Sequence, residues 1–279
     1  MLNVKKAGFF TSIQDQGRFG FRDLGVPVSG AMDTYSASIA NSLLENDENA
    51  AVMELTMTGP TLEFELPTFI ALSGADISPK LNQQPIPINQ VHQVAAGDVL
   101  SFGKLVQGFR AYLAVKKGFG TAVLMNSRSF YAPITPHHNI KDRMELPIAS
   151  CERYEPKISS LSPEAFHKEH TLEVYRGPEF DLLDDRQLEA LFAGDFTISK
   201  ENNRMAYQLE QTIPGHRHTM LTSATLPGTM QFTPAGKLII LMKDGQTTGG
   251  YPRILQLSNT AICILSQKKF GDTIKLHLK

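Results

Sequence analysis

The sequence predicts a mainly β protein, arranged as two β-rich, barrel- or sandwich-like halves with a few short helices. Short apolar segments recur along most of the chain, bounded by glycine, proline and asparagine turns. Apolar stripes at helical spacing are rare. A polar, proline-bearing stretch divides the chain into parts that echo one another. Closely spaced strands without helix-length segments between them argue for barrels or sandwiches rather than repeated β-α-β units.

The strands are read from Phe69–Leu72, Val99–Phe102, Ala111–Val115, Leu172–Tyr175, Leu238–Leu241 and Ala261–Leu265. Each is a short apolar run with turn residues nearby. Asp33 is placed to cap a helix whose stripe is Ile39, Ala40, Leu43 and Leu44. A second helix is expected over Asp184–Phe192, with Leu188, Leu191 and Phe192 on one side and Gly194 as its stop. Both stripes read as core packing. The organisation expected is an N-terminal half over residues 1–155, a linker over 156–170, and a C-terminal half over 171–279. Gly59-Pro-Thr-Leu-Glu-Phe64 before Phe69–Leu72 is echoed by Gly228-Thr-Met-Gln-Phe232 before Leu238–Leu241. Two related halves explain that echo; so does chance recurrence of a common turn.

Bulk properties exclude several classes. With 42% hydrophobic and 20% charged residues, the 279-residue chain is an ordinary globular protein. A formal net charge of −1 without a basic block gives no support to a nucleic-acid or anionic-membrane partner. Cys151 and Cys263 sit in no metal-ligand or redox spacing. The N-terminal residues lack the apolar core of a signal peptide, and no run reaches membrane-spanning length, so a cytoplasmic protein is expected.

Two segments concentrate polar groups. In the first, Leu238–Leu241 ends in a turn carrying Lys243, Asp244, Gln246, Thr247, Thr248, Tyr251 and Arg253, with Gly249 and Gly250 allowing close backbone approach. A polar hairpin at a barrel rim explains the same composition. The second segment, Thr11–Gly20 with Gly25–Asp33, is broken by glycines, so Gln14, Asp15, Arg18 and Asp33 lie on loops. A carboxylate polarises an N–H or takes a proton, and a guanidinium neutralises a carboxylate or oxyanion, as amide or ureido chemistry requires. The bland alternative is an Asp–Arg pair fastening loops together. Gly97–Lys104 does not have Walker spacing. Gly25–Gly30 is not a nucleophile elbow. His137-His138 and His216-Arg-His218 lack metal-ligand partners at suitable spacing. Met242-Lys243 is flanked wrongly for covalent biotin, so no biotin is expected on this chain.

Two groups of motifs together resemble the family of 5-oxoprolinase C subunits, also described as KipA-like or allophanate hydrolase subunit 2-like. That family is related to the carboxyltransferase region of urea carboxylase. One group is Thr11-Ser-Ile-Gln-Asp-Gln-Gly-Arg-Phe-Gly20 with Gly25-Val-Pro-Val-Ser-Gly-Ala-Met-Asp33. The other is Pro227-Gly-Thr-Met-Gln231 with Asp244-Gly-Gln-Thr-Thr-Gly-Gly-Tyr-Pro-Arg253. Between them Met53-Glu54-Leu55, Gly59-Pro60, Ser73-Gly74-Ala75, Gly97-Asp98, Tyr112–Val115 and Arg204-Met205 fall in the family's order.

The resemblance implies cyclophilin-like barrels and two partner proteins, a KipI-like B subunit and a further, A-type subunit. It implies ATP-dependent opening of 5-oxoproline to glutamate by that complex, with the nucleotide site unassigned. It also implies Asp15, Asp244 and Lys243 as catalytic candidates. Substrate would be held by Gln14, Arg18, Asp33, Arg204, Gln246, Thr247, Thr248, Gly249, Gly250 and Tyr251. Other roles open to the family are antagonism of a KipI-like kinase inhibitor and carboxyl transfer to a urea-like substrate. The chain departs from the family at Asn126, where glycine is usual, at Gln208, where arginine is usual, and over Pro136–Arg143, where a glycine-rich stretch is expected.

Overall fold

The structure, a computed structural model, describes residues 1–279. The chain divides into two compact units. The first comprises Met1–Arg18 with Ser29–Ala165, and the second comprises Phe19–Val28 with Phe166–Lys279. The division therefore falls at Ala165/Phe166, and a ten-residue piece near the N-terminus, 19–28, joins the second unit. Composition carries no sign of that exchange.

The first unit contains two antiparallel sheets. One runs in the order Glu145–Leu146, Leu2–Lys6, Thr61–Phe64, Val99–Phe102, Pro79–Leu81, Gln84–Pro85. The other runs Phe10–Gln14, Val52–Thr56, Gln107–Val115, Thr68–Asp76, Val91–Val94. Alternation along the strands shows how they pack. Leu2, Val4, Leu62, Phe64 and Leu100 of the first sheet share one core with Ile13, Met53, Leu55, Leu72 and Leu113 of the second. The opposite face of the five-stranded sheet is covered by helix α1 (Thr34–Leu43), which packs Ala37, Ala40, Leu43 and Leu44 against Phe69, Ala71, Tyr112 and Ala114. Ala111–Val115 is thus a continuous apolar run because both its faces are buried. Asp33 caps α1 as expected, accepting from Ser36 N at 3.0 Å.

The second unit is a closed seven-stranded barrel. Its order is Thr171–Arg176, Arg253–Leu257, Thr229–Phe232, Leu238–Leu241, Ala206–Leu209, Phe196–Asn202 and Thr273–Leu278. Closure comes from parallel pairing of Thr171–Val174 with Lys275–Leu278. Helix α2 (Asp185–Ala193) has a capping box made by Asp184 and Gln187. The chain is mainly β, as expected, and the expected strand at Leu238–Leu241 is present.

Ala261–Leu265 is a correction. It is not a strand but the centre of helix α3 (Asn259–Ser266), capped by the Ser258 side chain accepting from Ala261 N at 3.1 Å. Residues 261 to 266 are all buried, so no amphipathic stripe shows in the sequence. A run apolar on every side has neither a two-residue nor a 3.6-residue period to read. The echoed landmarks also occupy unlike places. Thr61–Phe64 and Thr68–Asp76 lie in different sheets, whereas Thr229–Phe232 and Leu238–Leu241 pair as neighbours.

Candidate functional site

Gln14, Asp15, Arg18 and Asp33 belong to the first unit, at the end of strand Phe10–Gln14 and the entry to α1. Asp15 is buried and its carboxylate is ringed by donors. Oδ1 accepts from Gly17 N at 2.9 Å, Ser127 Oγ at 2.7 Å and Ser129 Oγ at 2.6 Å, while Oδ2 accepts from Arg128 N at 2.6 Å. Arg18 is fully buried and donates from Nε to Leu124 O at 3.1 Å and from Nη2 to Ser129 O at 2.7 Å. Both charged groups therefore hold the Leu124–Ser129 segment. That segment contains the departure at Asn126, whose φ is 62°. Asparagine tolerates this left-handed conformation better than most residues, so it keeps the backbone path that a glycine would allow.

Gln14 Nε2 donates to Ser12 Oγ at 2.9 Å, and Gln14 Oε1 is buried without a hydrogen bond. Asp33 accepts from Ser36 Oγ at 2.6 Å as well as from the helix amide. Gly30, at φ +83°, brings the preceding loop so close to Gln16 that a Cβ would lie 2.8 Å from its carbonyl oxygen. A small depression, with room for little more than a water molecule, lies beside Asp15 and is lined by Gln16, Thr34, Ser38, Asn41 and Glu48.

Beneath this loop lies a buried network that motif reading did not single out as a site. Glu54 Oε2 accepts from Met32 N and from Tyr112 Oη, each at 2.8 Å, and Tyr112 Oη accepts from Asp33 N at 2.8 Å. Arg110 Nε stands 3.8 Å from Glu54 Oε1. Burial first, and then the Glu54 charge, push the Tyr112 phenol well above its ordinary value. A glutamate amid the apolar residues of strand Val52–Thr56 was the available signal.

The second unit holds Arg204, Lys243, Asp244, Gln246, Thr247, Thr248, Gly249, Gly250 and Tyr251. The structure brings Arg204 and Asp244 together. Arg204 Nε and Nη2 fork onto Asp244 Oδ2 and Oδ1 at 2.8 and 3.1 Å, and Asp244 N donates to Arg204 O at 2.9 Å. The pair locks the turn after Leu238–Leu241 to the start of its neighbour, Ala206–Leu209. Lys243 is half-buried in that turn, whereas Gly250 and Tyr251 are exposed.

Thr248–Gly249 pairs with Ser223–Ala224 as a two-stranded flap. Thr225 N and Oγ1 donate to Thr247 O and Gln246 O at 3.0 and 2.5 Å. Gln246 Nε2 reaches Gln231 Oε1 at 3.4 Å. Arg253 is engaged elsewhere, forking onto Glu179 at 2.8 and 2.6 Å and donating to Ala224 O at 2.5 Å. Those hydrogen bonds hold the Glu179 carboxyl below its ordinary value and raise Arg253.

Two residues absent from the expected site stand in this cluster. Arg22, on the short turn Arg22–Leu24, donates from Nη2 to Thr225 O. Gln231 is buried where the register against Arg253–Leu257 shifts between Met230 and Gln231. A bulge of this kind re-aims a side chain. His216 and His218 stack at 5.4 Å, and His216 Nε2 contacts Phe232 O at 3.0 Å. No group of three or more His, Cys, Asp or Glu side chains is gathered to hold a metal ion. No helix is long and apolar enough to cross a membrane.

Comparison with known proteins places this geometry among relatives. A family model for the carboxyltransferase domain, subdomain A and B, matches residues 24–278. The chain is 32% identical to the C subunit of 5-oxoprolinase from Escherichia coli (strain K12), over 98% of this chain and 90% of that protein. It is 30% identical to urea amidolyase of Lachancea kluyveri over 98% of this chain, but spans only 16% of that protein. The solved structure of K. lactis urea amidolyase superposes with a TM-score of 0.86 at 27% identity, covering 99% of this chain and 18% of that one.

Proposed function

The chain belongs to the family of carboxyltransferase domains with subdomains A and B, and on that premise we propose that it is one component of an ATP-dependent 5-oxoprolinase-type complex. The complex opens a cyclic amide, 5-oxoproline, to glutamate. The observation that carries the reading is the end-to-end likeness to a free-standing 5-oxoprolinase C subunit, with nearly all of both chains aligned. The partners are a KipI-like B subunit and an A-type subunit.

Ring opening adds water across the lactam C–N bond and is driven by hydrolysis of ATP to ADP and phosphate. On this chain the residues bracketed by Gly97 and Gly103 form strand Val99–Phe102 rather than a loop that wraps a phosphate. This segment is therefore not the nucleotide site of the complex. Arg204 occupies both Asp244 oxygens, which makes Asp244 a fixed acceptor for the lactam N–H rather than a mobile proton carrier. Gln246, Thr247 and Thr248, with the backbone amides of Gly249 and Gly250, are the groups this reading gives to the ring carbonyl. Lys243 offsets the negative charge that develops there. Asp15, Arg18 and Asp33 set the loops of the first unit, and Gln14 Oε1 offers an acceptor there.

The test is reconstitution with the A-type and KipI-like partners, scored by glutamate formation and 5-oxoproline-dependent ATP hydrolysis. Turnover is expected to require this chain, and Asp244→Asn is expected to lower it by about 10²-fold, the scale of losing one preorganised polar contact. Full turnover without this chain, or unchanged turnover with Asp244→Asn, overturns the assignment.

The likeness to urea amidolyase across 98% of this chain favours a second reading, carboxyl transfer to a urea-like substrate. The same complex, offered urea in place of 5-oxoproline, separates the two.

A further inference from the structure

We infer that Arg22 and Gln231 form a carboxylate-binding subsite on the second unit. The inference deepens the proposed function, resting on it for the ligand's ring but not for the ligand's charged group. The buried side-chain polar atoms of this unit that make no hydrogen bond are Arg22 Nη1, Gln231 Nε2 and His167 Nε2. The His167 carbonyl accepts from Lys268 Nζ at 2.9 Å, and His167 makes no hydrogen bond in the Arg22–Gln231 cluster. The other two are both donors. Native proteins leave few buried donors unmet, because each loses its hydration without replacement.

These two donors belong to one bonded cluster. Arg22 Nη2 donates to Thr225 O, Thr225 donates to the Gln246 and Thr247 carbonyls, and the Gln246 amide reaches Gln231 Oε1. The cluster leaves one guanidinium nitrogen and the Gln231 amide nitrogen as its buried donors without a partner.

Local backbone fixes the second donor. Gln231 is only 2% exposed and sits at the register shift. Its amide lies so near Gly249 that a Cβ there would stand 2.2 Å from Gln231 Nε2. Only a residue without a side chain admits the amide in that position. Burial by itself pulls the Arg22 guanidinium below its ordinary value, and a bound anion offsets that penalty.

A charged N–H and a neutral N–H, both without a partner, favour a group that accepts. A carboxylate has two such oxygens, and guanidinium matches it in charge and shape. An ammonium group would meet donors with donors and is rejected. The ligand class is thus a small ring compound bearing a carboxylate.

The experiment uses the full chain and three probes in calorimetric titration. These are 5-oxoproline, tetrahydrofuran-2-carboxylate (the carboxylate without the lactam) and 2-pyrrolidinone (the lactam without the carboxylate). The first two are expected to bind and the third to fail. Arg22→Gln and Gln231→Glu are expected to weaken both carboxylates by tenfold or more, with Arg22→Lys intermediate because charge persists but the fork is lost. Thermal melts of each variant establish that it is folded. Unchanged binding by folded variants, equal binding of 2-pyrrolidinone, or binding of no probe overturns the subsite. Arg22-dependent binding of tetrahydrofuran-2-carboxylate by a chain whose complex leaves 5-oxoproline intact keeps the subsite and removes the lactam reading. Turnover of 5-oxoproline with unchanged KM in Arg22→Gln does the reverse.

Discussion

Replacing Asp15 with alanine should destabilise the first unit severely, and the size follows from its hydrogen bonds. The carboxylate accepts from Gly17 N, Arg128 N and the hydroxyls of Ser127 and Ser129 at 2.6–2.9 Å. The hydroxyls can rotate toward other acceptors, but the two amides cannot. A buried donor left unmet costs about 1–3 kcal/mol. Two amides give about 2–6 kcal/mol, centred near ~4 kcal/mol, a large share of the ~5–15 kcal/mol that holds a typical domain. Asp15→Asn keeps one acceptor oxygen, which the three donors at Oδ1 can use, but turns an amide group toward Arg128 N. Its loss should be about half as large, ~2 kcal/mol. The assay is urea unfolding followed by circular dichroism; the chain has no tryptophan, so near-ultraviolet tyrosine signals report tertiary structure. An Asp15→Ala loss below about 0.5 kcal/mol, the range of an ordinary surface change, would refute the anchoring role.

Three further outcomes follow from other contacts. Asp244→Ala removes the carboxylate from Arg204, whose side chain is 6% exposed, and should cost about 3–5 kcal/mol. Arg204→Met combined with Asp244→Leu should cost less than the single change, and the reverse order in urea melts refutes the pairing argument. The folded-state pKa of Glu179 lies below its unfolded value of about 4.3 because Arg253 donates to it. Its stabilising contribution is therefore full above that unfolded value and lost as pH falls through the lower folded value. Glu179→Gln should flatten the acid limb of the stability profile, and an unchanged limb counts against the linkage. Ser258→Ala removes the α3 cap and should cost about 1 kcal/mol, whereas a strand at this position predicts no such loss.

The sequence makes legible whatever depends on near neighbours. Asp33 and Asp184 announce their helices because cap and capped amide are three residues apart. Leu238–Leu241 reads as a strand for the same local reason. Helix α3 escapes because burial on every side erases its period, leaving Ser258 as the single cue. The candidate residues could be named from their segments, yet their partners could not be read. Asp15 meets Ser129 across 114 positions, and Arg253 meets Glu179 across 74. Arg22 reaches Thr225 across 203 positions. Such pairings are decided by sheet order and loop path, which residue types alone do not encode. The exchange of residues 19–28 into the second unit is of this kind, and with it goes the role of Arg22.

Parallel closure of the barrel by its first and last strands has a consequence for how the protein is made. Strand Thr171–Arg176 finds one of its neighbours, Thr273–Leu278, only after some hundred intervening residues have been synthesised. Strand Phe196–Asn202 waits for the same partner. During translation two strand edges therefore stand open together, and no local hairpin can satisfy both. Pairing over such separations is slow, and open edges invite association with other chains. Ribosome-bound chains halted before Thr273 should accordingly engage chaperones, and release of the final strand should end that engagement in a single cooperative step.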